Sequence, residues 1–346
     1  MTKDLLRAKL DSCPTSEFPG DSDYGTRFAA MESQMNEQIH PVVTLGASVA
    51  DRNLLNDHGP GHIKTVIRRA SDLLKTSDSD VLSCYETYLL LAAIHVHDVG
   101  NLYGREYHEL MANKVMERLG ALFGPDEIEK RAIFNIAKAH SGQNKDGKDI
   151  IADLSKEDFI LNQRVHPRLL AALLRFADEL ADDRTRAARF LIEENQIPDS
   201  SLIYHKYAYA LHSVLVEKDA INLKFYLAAD DVTQPFKKDK KAVYLLDEIF
   251  NRTMKMHRER LYCMRFLRPF IDIDRIDVTI QVFGQGFGGQ ELANISYRLV
   301  EAGYPDETKP NIYVLCPELF EHEYGSPLNG PSLKFYIKDE LKRKNK

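Results

Sequence analysis

Through the first 200 residues or so, apolar positions recur at helical spacing. Val66, Leu73 and Leu74 mark one such face, and residues 85–94, 110–122, 128–139 and 169–180 carry others. That periodicity predicts helices. Their ends carry matching chemistry: Gly124-Pro125-Asp126-Glu127 puts proline and acids into a first turn, Ser141-Gly142 closes the same helix, and His166-Pro167 opens the next. Residues 28–39 also read as helix, whereas 13–24, rich in Pro, Ser, Asp and Gly, read as irregular chain. The polar stretch 143–149 reads as a loop that could serve as a lid.

Beyond Pro198-Asp199 the pattern turns to period two, in residues 204–216 and again in 221–227, with Lys218-Asp219 as turn material between. This is a β-hairpin signal. A long amphipathic helix over 240–266 follows, then a strand over 276–283, a helix over 290–302 and a strand over 311–315. The expected fold is mainly α, a helical core followed by a small α+β domain. We divide the chain into an N-terminal segment (1–39), a helical catalytic domain (40–198) and an α+β appended domain (199–346).

Composition narrows the function classes. The chain has 346 residues, 44% of them hydrophobic, enough for a sizeable core. Its apolar runs are too short for a membrane span, and Met1-Thr2-Lys3-Asp4 opens no signal pattern, so a cytoplasmic protein without a membrane partner is expected. Cys13, Cys84, Cys263 and Cys316 are far apart and form no CxxC pair, which predicts reduced, structural thiols. A net charge of −6 with few basic tracts disfavours duplex nucleic acid and leaves small anionic substrates open. A homo-oligomer is left open.

The chemistry centres on His97-Asp98, at the end of an apolar helix and followed by Val99-Gly100. Neighbours within a helix point about 100° apart, but a glycine past the last turn lets the backbone swing both side chains toward one cation. His62 starts another helix after the Gly59-Pro60-Gly61 turn and is a second ligand candidate. His58, in the loop before it, suits a contact beside the ligands or to substrate; both histidines also read as turn caps. His108 and His140 stand at helix ends, where side chains converge from different directions. Asp178 interrupts an apolar helix, where a carboxylate needs either a cation or a partner such as Arg175 one turn earlier. Asp98 could bridge two cations, and the mixed N/O set suits Mn, Fe, Zn, Co or Ni better than calcium. His95 lies on another helix face and suits a structural role. The Gly-rich run 284–289 follows a strand but lacks a P-loop signature and reads as a flexible turn. His205 and His212, seven apart on one strand, are poor candidates for shared ligation, and Tyr204, Tyr207 and Tyr209 read as packing.

The ordered set His62, His97-Asp98, His108, His140, Asp178 resembles the HD superfamily of metal-dependent phosphohydrolases over residues 40–185. Within it, Leu54-Leu55-Asn56-Asp57-His58-Gly59-Pro60-Gly61-His62 together with the α+β extension looks most like HD domains associated with Hsp90-type ATPases. The resemblance implies an all-α core, one or two divalent ions (Mn, Fe, Zn, Co, Ni or Mg) and a phosphorylated, nucleotide-like substrate. Asn101 stands where many members carry a Lys, so phosphate contacts would come from Lys64, Arg105, Lys138 or Arg175. With metal-activated water as nucleophile, Asp98 would bridge or orient and His58 would bind phosphate or assist the leaving group. Two alternatives use the same residues: an HD-type di-iron oxygenase, and a nucleotide-binding sensor or interaction module without turnover.

Overall fold

The computed structural model describes residues 4–51, 54, 56–141, 150–268, 270–284, 289–301, 303 and 311–344. These form two compact units, Met1–Ala181 with Tyr262–Asp272, and Asp182–Leu261 with Ile273–Lys346. Residues 182–198 group with the second of these units, and the sequence reading divides the chain at 39/40 and 198/199. The loop 143–149 read as a lid, and residues 285–288 of the Gly-rich run, lie outside the described residues.

The first unit is helical: α1 (Leu5–Ser12), α2 (Tyr24–Gln34), α3 (His40–Asp51), α4 (Pro60–Leu74), α5 (Cys84–Val96), α6 (His108–Arg118), α7 (Glu127–Lys138) and α8 (Pro167–Glu179), with a short antiparallel pair β1 (Asp158–Ile160) and β2 (Gln163–Val165) before α8. Helix α5 is the axis. Every residue from Tyr85 to Val96 is buried, so it is apolar all round and packs against α1, α4, α7 and α8. Its start is fixed by a capping box in which the Ser83 hydroxyl accepts from the Glu86 amide and the Glu86 carboxylate accepts from the Ser83 amide. Residues 28–39, expected as helix, are the end of α2 and a π-helical turn (Met35–Ile39) that leads with helical angles into α3.

Two polar devices tie the N-terminal helices to this axis. Glu129 of α7, fully buried, accepts from the Tyr24 and Tyr85 hydroxyls at 2.6 and 2.7 Å and from Arg27 at 3.1 Å. His40 and His95, both buried, meet ring to ring at 3.0 Å. A disulfide between Cys13 and Cys84 corrects the expectation of four reduced thiols; Cys263 and Cys316 remain buried thiols. Separation along the chain hid the pair, because packing of α1 on α5 brings the end of one helix to the start of the other.

The second unit runs α9 (Arg189–Glu193), α10 (Asp199–Ala210), β3 (Leu211–Val216), β4 (Ala220–Ala228), α11 (Ala229–Thr233), β5 (Pro235–Lys238), β6 (Lys241–Tyr244), α12 (Leu245–Leu267, its last residues grouping with the first unit), β7 (Arg275–Phe283), β8 (Glu291–Val300), α13 (Ile312–Leu315) and α14 (Gly330–Lys344). Its sheet has the order β3-β4-β7-β8, with β4 and β7 parallel across the α12 connection and the other pairs antiparallel. One face is buried, through Leu223, Phe225, Val278, Ile280, Ile295 and Tyr297. The Tyr297 hydroxyl meets Thr253 of α12 at 2.9 Å, which sets that helix on this face.

Four expected elements differ. The helix expected over 240–266 begins at Leu245, because Lys241–Tyr244 pair with β5 as β6. Within the helix expected over 290–302, Glu291–Val300 form β8, because pairing with β7 outweighs the helix propensity of Glu291, Leu292 and Ala293. Residues 204–210 belong to α10, whose buried Ile203, His205 and Tyr207 imitate a strand's alternation. Residues 312–315 make one helical turn, capped by Asn311, whose side chain accepts from the Val314 amide.

Candidate metal centre

The chain turns out of α5 without left-handed backbone. His97 keeps helical angles, Asp98 takes φ −105° and ψ −1°, and a 3-10 turn, Val99–Tyr103, follows. Gly100 therefore acts through space and not through φ, contrary to the sequence reading. A Cβ there would lie 1.8 Å from the His108 carbonyl oxygen and 2.8 Å from the Ala112 nitrogen. The bare backbone lets the turn seat against the first turn of α6, and that contact sets His108 beside Asp98.

His62 enters from the first turn of α4, behind Pro60 at a position where proline lacks no needed donor. Asp178 enters from the last turn of α8, and His140 from just beyond α7. His62 Nε2 lies 3.1 Å from Asp178 and 3.5 Å from Asp98 Oδ2. His97 Nε2 lies 3.4 Å from Asp98 Oδ2 and 3.6 Å from Asp178. On the other side Asp98 Oδ1 faces His108 Nε2 at 3.4 Å and His140 Nε2 at 3.6 Å. The six expected ligands thus form two groups, His62-His97-Asp98-Asp178 and Asp98-His108-His140, each with its donor atoms within 4.8 Å of one another and Asp98 common to both.

The imidazoles are oriented as ligands. The Nδ1 atoms of His97, His108 and His140 donate to the carbonyls of Ile94, Arg105 and Ala137 at 2.7, 3.0 and 2.7 Å, which turns each Nε2 inward. Burial holds His140 below its usual pKa and so neutral. Its Nε2 faces that of His108 at 3.2 Å with a carboxylate oxygen beside them, three ligand atoms that one cation could share. Burial opposes charge on His97, but Asp98 and Asp178 outweigh it and hold the ring up at about 10. Burial would raise both carboxyls; the facing imidazoles instead keep Asp98 and Asp178 well below the usual range. The site favours positive charge, and a metal held there would take the place of the His97 proton. Exposure is uneven: the His62 and His97 side chains have none, Asp98 has 7%, and Asp178 has 24%.

His58 sits against the site. It donates through Nδ1 to Asp98 Oδ2 at 2.7 Å, and Arg105 reaches its Nε2 at 3.1 Å. Sequence reasoning missed its supports: Thr44 Oγ1 accepts from the His58 amide at 2.9 Å, and Asp57 accepts from the Gly59 amide at 2.8 Å, filling the space beside Gly59 and Gly61. It also missed Asn101, which donates to Asp98 Oδ1 at 3.0 Å; an amide three residues after the aspartate was the available signal. The other expected cations spread out. Lys64 is exposed on α4 in the field of Glu32, and Lys138 is half-buried at the end of α7. Arg175 is buried, donates to the Ala139 carbonyl at 3.5 Å and lies over the Tyr262 ring, while Asp178 turns to His62 and His97.

Among the described residues no helix is long and apolar enough to cross a membrane. A family model described as HD-CE matches residues 50–252, more than half of the chain. No curated protein and no solved structure matches.

Proposed function

The chain belongs to the HD-CE family, and on that premise we propose that it is a metal-dependent phosphohydrolase or phosphodiesterase acting on a nucleotide-like phosphoester. The observation that carries this reading is Asp98, whose two oxygens face two separate sets of inward-turned imidazoles. A divalent ion of the Mn, Fe, Zn, Co, Ni or Mg group supplies Lewis acidity and a water acidic enough to ionise near neutral pH. The ligand residues fit such an ion in donor type, orientation and charge.

The chain's own groups would do the rest. Asp98, kept ionised by its neighbours, holds both donor sets in register, and Asn101 fixes its Oδ1. Arg105, seated on His58 next to Asp98, presents guanidinium charge that suits phosphoryl oxygens. Lys64, Lys138 and Arg175 remain further candidates for phosphate contact.

The test is metal analysis of the purified protein joined to a screen of nucleotide phosphoesters with added Mn. Wild-type turnover is expected, with both metal retention and turnover lost in His97→Ala and Asp98→Ala. Full turnover in either variant would remove the assignment. Iron content with oxygen uptake and no phosphate release would replace it by the oxygenase reading, and tight nucleotide binding without product, unchanged by Asp98→Ala, by the sensor reading.

A further inference from the structure

The second unit's sheet covers one face and leaves the other open. Along β4, Lys224 and Tyr226 alternate outward with buried Leu223, Phe225 and Leu227; along β7, Thr279, Gln281 and Phe283 alternate with buried Val278, Ile280 and Val282. A shift of register between Leu211 and Ser213 turns His212 of β3 out to solvent. These strands are neighbours, so the outward rings meet. His212 and Tyr226 stack with centroids 4.5 Å apart and planes 28° off parallel, and Phe283 stands edge-on to Tyr226 at 5.6 Å. Cations frame the group: Lys224 Nζ lies 5.4 Å from the Tyr226 ring, and Arg184 donates to His212 Nδ1 at 2.8 Å.

An exposed aromatic surface on a sheet calls for a partner, and here the chemistry selects one. Flat rings offer stacking to other flat π systems, and flanking Lys and Arg offer charge to an anionic backbone. The acids near this face are engaged: Asp277 of β7 by Arg275 and Arg298, Glu291, which pairs with Phe283 across β7 and β8, by Gln281, and Glu217 by Asn222. Among the described residues Lys224 and Arg184 therefore flank the rings on β3 and β4, while the nearby carboxylates have hydrogen-bonding partners of their own. A duplex hides its bases and cannot use such a platform; a single strand can lay unstacked bases on it.

We propose that the open face around His212, Tyr226 and Phe283 binds single-stranded nucleic acid, bases on the rings and phosphates on Lys224 and Arg184. The surface uses none of the residues of the metal centre, so it stands or fails independently of the hydrolase reading.

Fluorescence anisotropy of the full chain with a labelled 20-mer of dT or U, against a 20-bp duplex, tests it. Single-strand binding is expected to weaken about 10-fold or more in Tyr226→Ala and in Phe283→Ala, and to persist in Tyr226→Phe, which keeps the ring. Lys224→Ala should lower the slope of log K against log salt by about 0.7, a measure that stays informative if an alanine variant folds poorly. The proposal is overturned by an absence of binding up to about 100 µM at low salt, by equal affinity for the duplex, or by wild-type affinity in the Tyr226→Ala, Phe283→Ala double variant.

Discussion

Replacing Gly100 by alanine isolates how the second donor group is built. The added Cβ would fall 1.8 Å from the His108 carbonyl oxygen, and ordinary contact begins at 3.4 Å, so the turn and α6 must part by about 1.6 Å. The atoms in the way are backbone and cannot rotate aside. Metal sites tolerate errors of roughly 0.2 Å in ligand position, so a displacement of that size removes His108 from any shared ion with Asp98. His62, His97 and Asp178 come from α4, α5 and α8 and keep their places. If both donor groups are filled in the wild type, Gly100→Ala should bind one ion fewer per chain and should match His108→Ala in metal content. Overpacking should also cost about 1–3 kcal/mol of stability. Elemental analysis after gel filtration, together with calorimetric titration of the apo protein, gives the stoichiometry. Two ions bound with wild-type affinity in Gly100→Ala would refute the reasoning.

Further expectations concern the supports of the site and the fold. Asn101→Ala, which frees Asp98 Oδ1 of its amide partner, should lower metal affinity or turnover about 10- to 100-fold without loss of secondary structure; an unchanged titration would show that Asp98 needs no such support. Glu129→Leu strands two tyrosine hydroxyls and Arg27, and should cost on the order of 3 kcal/mol in urea unfolding, an effect that a neutral result would contradict. Burial, then the positive fields of His97 and His62, hold His40 down at about 3. Above pH ~6.5 neither state is charged there; as pH falls from ~6.5 toward 3 the unfolded chain takes the proton first, so stability drops, by about 2 kcal/mol at pH 5. His40→Gln should flatten that dependence, and equal slopes in both proteins would count against it. Cys13→Ser with Cys84→Ser opens a link across 71 residues and should lower stability by roughly 2–4 kcal/mol; identical denaturation midpoints before and after reduction of the wild type would speak against the tether.

The ligand order was legible because each ligand lies at or near a helix end, and helix ends announce themselves through Pro, Gly and capping acids. Helix α5 was legible for the same reason, being one long apolar run with a doublet at its close. What stayed hidden depends on partners distant in the chain. Nothing in Cys13 or Cys84 alone indicates the other, and His95, which read as structural, gave no sign of His40. The Gly100 reading failed in kind: sequence suggested conformational freedom, while the need was for space beside α6. In the second unit, short apolar runs such as residues 292–299 are equally good as helix or strand until β7 supplies hydrogen bonds.

The gradient of exposure across the ligands bears on timing as well as affinity. Water reaches the cluster most readily past Asp178, while His62 and His97 lie behind it with no solvent contact. An ion held there would exchange most readily past the carboxylate edge, and its residence would depend on how often that edge loosens. Neutralising this carboxylate, as in Asp178→Asn, should shorten the lifetime of the bound ion more than it slows its capture, a kinetic asymmetry that stopped-flow chelator chase would read directly.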